Sequence, residues 1–320
     1  MRILVIGAGG MLGAKLIAQL VKTGRIGGRE IVHLTRVDAI PCTAIAAGFQ
    51  FETMACDVSD PAMADQLMVG RPDLIFHLAA VVSGEAERDF DKGYRINLDA
   101  TRYLLEAARV AGHCPKFIFT SSIAVFGAPF PDVIADDYFT TPLTSYGTQK
   151  AVGELLLNDY SRRGFVDGVA LRMPTVCVRP GLPNAAASGF FSNIIREPLV
   201  GLPATLPVDP ATRHWFASPR AAVGFLIRAA EMELGLLGAR RTLNLPGLSC
   251  SVADQIAALG RIAGQKAVAL ISRANDPAVA RIVAGWPQNF DAARAISMGF
   301  SAEDSFDTII RSHIEDELGG

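Results

Sequence analysis

Tyr146 and Lys150 stand four residues apart in Thr144-Ser145-Tyr146-Gly147-Thr148-Gln149-Lys150, a spacing that sets both side chains on one face of a helix. An ammonium beside a phenol can make a base. A free tyrosine ionises near pH ~10, and bringing this to about 7 takes roughly 4 kcal/mol of differential stabilisation, which a desolvated cation and a helix dipole can supply. The resulting tyrosinate accepts a proton from a substrate hydroxyl. Five tyrosines and six lysines in 320 residues give some Tyr-x-x-x-Lys pair by chance in about one such chain in ten, so the pair gains its weight from its context. That context is Lys116-Phe117-Ile118-Phe119-Thr120-Ser121-Ser122, an apolar run ending in hydroxyls. At the carboxyl end of a strand in an open α/β sheet such groups face the ligand crevice. The loop over 132–142 lets Ser122 and Tyr146 reach one site, so Ser122, Tyr146 and Lys150 are the candidate catalytic residues.

The elements that position these residues read in order. Residues 2–6 are a continuous apolar run, followed by Gly7-Ala8-Gly9-Gly10-Met11-Leu12-Gly13 and an apolar periodic stretch through Leu16, Leu20 and Val21. This is strand, glycine turn, helix. Gly7, Gly10 and Gly13 let the turn tighten and let backbone N–H groups near Met11 and Leu12 approach a pyrophosphate. A second strand, Ile31–Val37, ends at Asp38, where a carboxylate can accept from the adenosine ribose hydroxyls and so favours NAD. Arg36 is the opposing signal, because a basic side chain there can hold the 2′-phosphate of NADP. The polar stretch Thr23–Arg29 accounts for the long interval from Gly13 to Asp38. Phe51–Val58 gives a third strand, with Asp57 at its end near the adenine and Ser59-Asp60-Pro61 opening the next helix. Asp73–Ala80 is a fourth strand whose small terminal residues let the backbone pass close to a cofactor, while His77 within it reads as a hydrogen-bonded core residue.

Tyr94–Gly112 is a long helix, and Gly168–Val176 a further strand in which Arg172 reads as structural. The alternation predicts an α/β doubly wound parallel sheet over residues 1–175. Beyond it, proline and glycine punctuate 179–184, 201–203 and 206–207, which reads as a smaller C-terminal substrate lobe over 176–320 built partly from loops. A helix at about 220–232 returns to the main domain, and 241–245 is assigned to the lobe.

Net charge is −2 with both signs interspersed, so no basic stripe points to nucleic acid and no polybasic run to a membrane surface. The partners expected are small molecules. Cys42, Cys56, Cys114, Cys177 and Cys250 are odd in number and lack Cys-x-x-Cys spacing, which argues against a disulfide framework or a zinc site; they read as core thiols in a reducing compartment. No apolar run reaches the ~18 residues of a membrane span and none resembles a signal peptide. The chain reads as cytoplasmic, with no metal.

Together, Gly7-x-x-Gly10-x-x-Gly13, Asp57-Val58, His77-Leu78-Ala79-Ala80, Asn97, Ser121-Ser122 before Ala124-Val125-Phe126-Gly127, and Tyr146-x-x-x-Lys150 resemble the extended short-chain dehydrogenase/reductase family, also called NAD-dependent epimerases/dehydratases. The likeness covers about the first 180 residues, and several ordered motifs are far more specific than one. It implies a Rossmann-type domain binding NAD through Gly7, Gly10, Met11, Leu12, Gly13, Asp38, Asp57, Val58, Leu78, Ala79, Ala80, Asn97, Tyr146, Lys150 and Pro174. By the same likeness Tyr146 is the acid/base, Lys150 holds the nicotinamide ribose and lowers the tyrosine pKa, Ser122 donates to the reacting oxygen, and Asn97 orders the helix and an active-site water. It also implies a homodimer through the 94–112 and 146–163 helices. Nucleotide-sugar members usually carry Asn where this chain has Thr175, and an Arg-Asp-aromatic-x-x-Val-Asp-Asp segment where it has Arg213-His-Trp-Phe-Ala-Ser-Pro-Arg220. Runs 171–188, 195–199 and 213–220 instead resemble a branch acting on four-carbon sugar acids, which implies NAD-dependent oxidation of a C2 hydroxyl. Thr175, Arg179 and Arg213 are then the candidate substrate residues, either arginine offering a planar fork to a carboxylate. The other reading on the same fold is a nucleotide-sugar epimerase or dehydratase.

Overall fold

The computed structural model describes residues 1–42, 45–181 and 187–319. By internal contacts they form two units: 1–125, 144–172 and 223–243 make the first; 126–143, 173–222 and 244 onward make the second. Beyond the expected boundary near 175 and the returning helix, the chain thus also leaves the first unit over 126–143.

In the first unit the apolar runs pair into one sheet. Arg2–Ile6 (β1), His33–Asp38 (β2), Gln50–Ala55 (β3), Leu74–His77 (β4), Lys116–Ser122 (β5), Asp167–Met173 (β6) and Thr242–Asn244 (β7) lie in the order β7-β6-β5-β4-β1-β2-β3. β1 runs parallel to β2 and β4, β2 to β3, and β4 to β5. Ile3 to Ile6 and Leu74 to His77 are buried throughout, as strands covered on both faces must be; β3, at the edge, is mostly exposed. The helices are Met11–Thr23 (α1), Pro61–Val69 (α2), Ala100–Ala111 (α3), Ser145–Arg162 (α4) and Pro219–Glu231 (α5). Leu67 and Met68 of α2 and Leu104 and Leu105 of α3 close over Leu4, Ile6, Val37 and Ile75, each buried side chain contributing about 2 kcal/mol of transfer free energy. This is the doubly wound α/β sheet that the alternation predicts, and its order reverses between β1 and β4, where such folds bind ligands.

Four local expectations change. The 23–29 stretch contains a small antiparallel hairpin, Arg25–Ile26 against Arg29–Glu30. The long helix at 94 opens as a π-helical turn, Tyr94–Asp99, before α3. The strand expected through Val176 stops at Met173, because Pro174 has no N–H for a ladder; Thr175–Val176 pair instead with Phe216–Ala217. Residues 242–244, expected in the lobe, complete the central sheet as β7. Only Cys177 and Cys250 are buried thiols, whereas Cys114 is exposed. No helix among the described residues is long and apolar enough to cross a membrane.

The second unit has its own sheet, Leu248–Ser251, Arg213–Ala217 and Thr175–Val176 in that order, and a parallel pair, Ala204–Leu206 with Ile271–Arg273. Helices Gly189–Leu199, Val252–Ala263 and Phe306–His313 gather Phe191, Ile194, Phe216, Leu259, Phe306 and Ile310 into a separate core.

Candidate active site

At the end of β1 the chain turns through Gly7 with a φ of 85°. A Cβ on Gly7 would stand 2.5 Å from the Ala79 amide nitrogen, and one on Gly13 2.2 Å from the Gly7 carbonyl oxygen. Only glycine lets this turn pass so close to the residues after β4 and then enter α1. Gly10 is the N-cap of α1, with no side chain satisfying the first amides from Met11 to Gly13; a Cβ there would meet only the Gly7 oxygen, at 3.4 Å. Bare amide donors at the positive end of a 13-residue helix suit a pyrophosphate. The residues present therefore fit a dinucleotide.

Around this turn Asp38 accepts from the Gly9 amide at 2.8 Å and the Ile40 amide at 3.1 Å, so its carboxylate sits beside the glycines. Arg36 is 4% exposed; its Nε donates to Thr53 Oγ1 at 2.8 Å and its guanidinium lies 5.2 Å from the Phe51 ring centre. It is laid onto β3. Asp57 accepts from Ser59 N and Oγ and pairs with Arg95 at 2.7 Å. The Ser59 hydroxyl, opposed by partial desolvation and helped by Arg95, holds that carboxyl below its ordinary value. Val58 is buried, Leu78 and Ala79 are half-buried, Ala80 is exposed and Pro174 is buried.

β5 and α4 carry the other group. Thr144 caps α4 by accepting from the Gly147 amide, which fixes Tyr146 in the first turn. A Cβ on Gly147 would come within 2.2 Å of the Ala124 carbonyl oxygen, and the Ala124 amide donates to Ser122 Oγ at 3.1 Å. The turn after Ser122 is thus pressed against the start of the Tyr146 helix. One turn on, Lys150 Nζ donates to the Thr120 carbonyl at 2.8 Å and lies 4.7 Å from the Phe119 ring centre and 5.8 Å from that of Tyr146. Lys150 is 1% exposed. Desolvation pushes its ammonium down from 10.5 to about 7, against the pull of the Glu154 carboxylate. Ser122, Tyr146 and Lys150 are therefore brought to one end of β5 and α4.

Asn97 is buried, and its amide is spent inside the protein: Oδ1 accepts from Val81 N, and Nδ2 donates to Val81 O and to Gln149 Oε1 at 2.7 Å. It is a strut between the loop after β4 and α4, as the expected ordering of the helix requires. His77 is a core residue: its ring meets Thr101 Oγ1 at 2.8 Å, and burial, with Lys150 nearby, lowers it to about 3. Thr175, Arg179 and Arg213 belong to the second unit. Thr175 Oγ1 lies 2.7 Å from His214 Nε2. Arg179 donates to Ser188 Oγ at 2.7 Å, and Arg213 donates to the Ser249 carbonyl and pairs with Asp254 at 3.5 Å. Residues 182–186, inside the 171–188 run, lie outside the described residues. Sequence reasoning missed Gly147 and Glu154. The one signal for Glu154 is that it continues the four-residue stripe from Tyr146 through Lys150.

A family model described as the NAD dependent epimerase/dehydratase family matches residues 3–214. The chain belongs to this family. Within it, the chain is 47% identical over 320 residues to a D-erythronate dehydrogenase of Cupriavidus necator, covering 99% of this chain and 98% of the relative. It is 39% identical over 318 residues to a D-erythronate dehydrogenase of Haemophilus influenzae, covering 99% of this chain and all of that one. A crystal structure described as the nucleoside-diphosphate-sugar epimerase from Agrobacterium tumefaciens is 58% identical, with a TM-score of 0.97 over 100% of this chain and 95% of that one. Membership of the epimerase/dehydratase family, with relatives named as dehydrogenases, makes this chain an enzyme of the extended short-chain dehydrogenase/reductase type.

Proposed function

We propose that the enzyme is an NAD-dependent dehydrogenase that oxidises the C2 hydroxyl of D-erythronate to 2-dehydro-D-erythronate. The observation that carries this reading is the buried Lys150 one turn from Tyr146, beside the Ser122 turn, in a chain alike over nearly its full length to two D-erythronate dehydrogenases. NAD, when bound, supplies a nicotinamide ring that takes up hydride. Its pyrophosphate fits the turn from Gly7 to Gly13 and its adenosine ribose fits Asp38. Arg36, engaged with Thr53 and Phe51, is turned away from the role of holding a 2′-phosphate, which supports NAD over NADP.

Lys150 holds the nicotinamide ribose and stabilises the Tyr146 phenolate. Ser122 donates to the C2 oxygen, and the phenolate takes the proton from that hydroxyl as hydride leaves C2. One C–H and one O–H bond break, a carbonyl forms, and the electron pair departs with the hydride. The substrate carboxylate calls for a cation, and the KM of Arg179→Ala and Arg213→Ala for D-erythronate tests the two arginines. A homodimer through the 94–112 and 146–163 helices accompanies this reading; Val110 and Leu155 on them are 69% and 68% exposed.

The likeness to a structure described as a nucleoside-diphosphate-sugar epimerase supports a second reading, in which hydride returns to the substrate and no net NADH forms. Incubation with NAD or NADP and four- and five-carbon aldonic acids, beside UDP- and GDP-sugars, separates them by NADH absorbance. NADH is expected from D-erythronate, with turnover reduced by orders of magnitude in Tyr146→Phe while NAD still binds. Interconversion of a nucleotide sugar without net NADH would overturn the proposal, and undiminished turnover in Tyr146→Phe would remove that residue from the mechanism.

A further inference from the structure

Glu154 lies one helical turn beyond Lys150 on α4, inside the protein: its side chain is 4% exposed. Three donors converge on its carboxylate. Arg172 of β6 reaches Oε2 through Nη2 at 2.8 Å and Oε1 through Nε at 3.0 Å, and Ser121 Oγ donates to Oε1 at 2.5 Å. Nothing in the reaction proposed above uses this cluster. A buried ion pair is weak evidence for stability, because desolvating both charges offsets most of their attraction. Its position suggests another use: Ser121 precedes Ser122, and Glu154 follows the lysine at the spacing that keeps two side chains on one helix face.

We propose that Glu154, clamped by Arg172 and Ser121, is a positioning residue that keeps Lys150 an ammonium in the apolar floor of the site. The role of Lys150 rests on the dehydrogenase reading; its charge state does not. The Thr120 carbonyl and the Phe119 and Tyr146 rings that surround Lys150 carry no full negative charge, and burial among them favours loss of its proton. Three other carboxylates on the elements packed against α4 have partners of their own. Glu87 accepts from the Ser145 amide, Glu85 pairs with Lys92, and Glu106 is tied to Arg109 and to Tyr160 at the far end of the helix. His77 on β4 is neutral at ordinary pH. Glu154 is left as the carboxylate that opposes the desolvation of Lys150, while the Arg172 clamp fixes where that carboxylate stands.

The test reads the lysine directly, in the whole chain and without turnover. Lysines labelled at Cε are titrated by NMR, and the Lys150 signal is assigned by its loss in Lys150→Met. In the unsubstituted protein the midpoint is expected at about 7. Glu154→Gln should lower it by about one pH unit or more, and Arg172→Met, which leaves the carboxylate less neutralised, should raise it. Should Glu154→Gln fail to fold, the double change Glu154→Gln with Arg172→Met is compared with Arg172→Met alone, and its midpoint should be the lower of the two. A midpoint that does not fall when the carboxylate is removed, from the unsubstituted protein or from Arg172→Met, overturns the proposal. NADH affinity across the same pH range is the second readout and should weaken at lower pH in Glu154→Gln than in the unsubstituted protein. A shifted midpoint without any oxidation of D-erythronate would sink the dehydrogenase reading and leave this inference standing.

Discussion

Lys150 puts a positive charge where water does not reach, and that has a thermodynamic signature. Its proton is held to about 7 in the fold, against 10.5 ordinarily. Between those values the unfolded chain binds one more proton than the folded one, so stability rises with pH across that window and the burial cost is fully present below it. Lys150→Met removes the charge and keeps the bulk. The variant should melt higher than the unsubstituted protein at pH 6 and lose the rise in stability between pH ~7 and ~10, while NADH affinity and turnover fall. Calorimetry at several pH values decides, and a lower melting temperature at pH 6 would mean that the ammonium stabilises the fold. Tyr146 and Lys150 are legible in the sequence because their relation is local, four residues along one helix. Glu154 is not, since a carboxylate on an amphipathic helix ordinarily faces solvent, and it is Arg172 on β6 with Ser121 on β5 that reveals that this one faces inward.

Two glycines fasten elements together. Inside a helix, glycine to alanine ordinarily stabilises by about 1 kcal/mol. At Gly13 and Gly147 the added Cβ would stand 2.2 Å from a carbonyl oxygen, of Gly7 and Ala124 respectively, so backbone must move and the local gain is overridden. The two shifts fall on different elements, the starts of α1 and α4. Gly13→Ala displaces the start of α1 from the glycine turn and should weaken NADH binding tenfold or more, as read by NADH fluorescence. Gly147→Ala displaces the start of α4 from the Ser122 turn and should lower kcat for D-erythronate by a similar factor with little change in NADH affinity. Equal effects of both variants on affinity and kcat would mean that the elements do not divide the work in this way. The demand on Gly13 is readable from the spacing of Gly7, Gly10 and Gly13, whereas the demand on Gly147 comes from an oxygen 23 residues earlier in the chain, which no local pattern encodes.

The first unit as a whole is assembled from three separate stretches of chain. Local periodicity marks the strands and helices up to about residue 173, but the closing strand comes from residues 242–244, too short a segment to announce its partner. Its neighbourhood is specific nonetheless. The Ala170 amide donates to the Arg241 carbonyl at 2.7 Å, Arg241 pairs with Asp167 at 2.9 Å, and Lys116 Nζ donates to the Ala230 and Met232 carbonyls. A chain ended at residue 175 would keep every glycine, Ser122, Tyr146 and Lys150, yet it would bare the edge of β6 and leave the Lys116 ammonium, half-buried in the whole protein, without both acceptors. Such a fragment should lack a cooperative thermal transition and NADH binding. A fragment that also carries residues 219–244 through a flexible linker should regain both, because those residues hold α5 and the strand that closes the sheet. Cooperative melting of the shorter fragment, followed by circular dichroism, would show that β1 to β6 suffice and that the returning segment is dispensable.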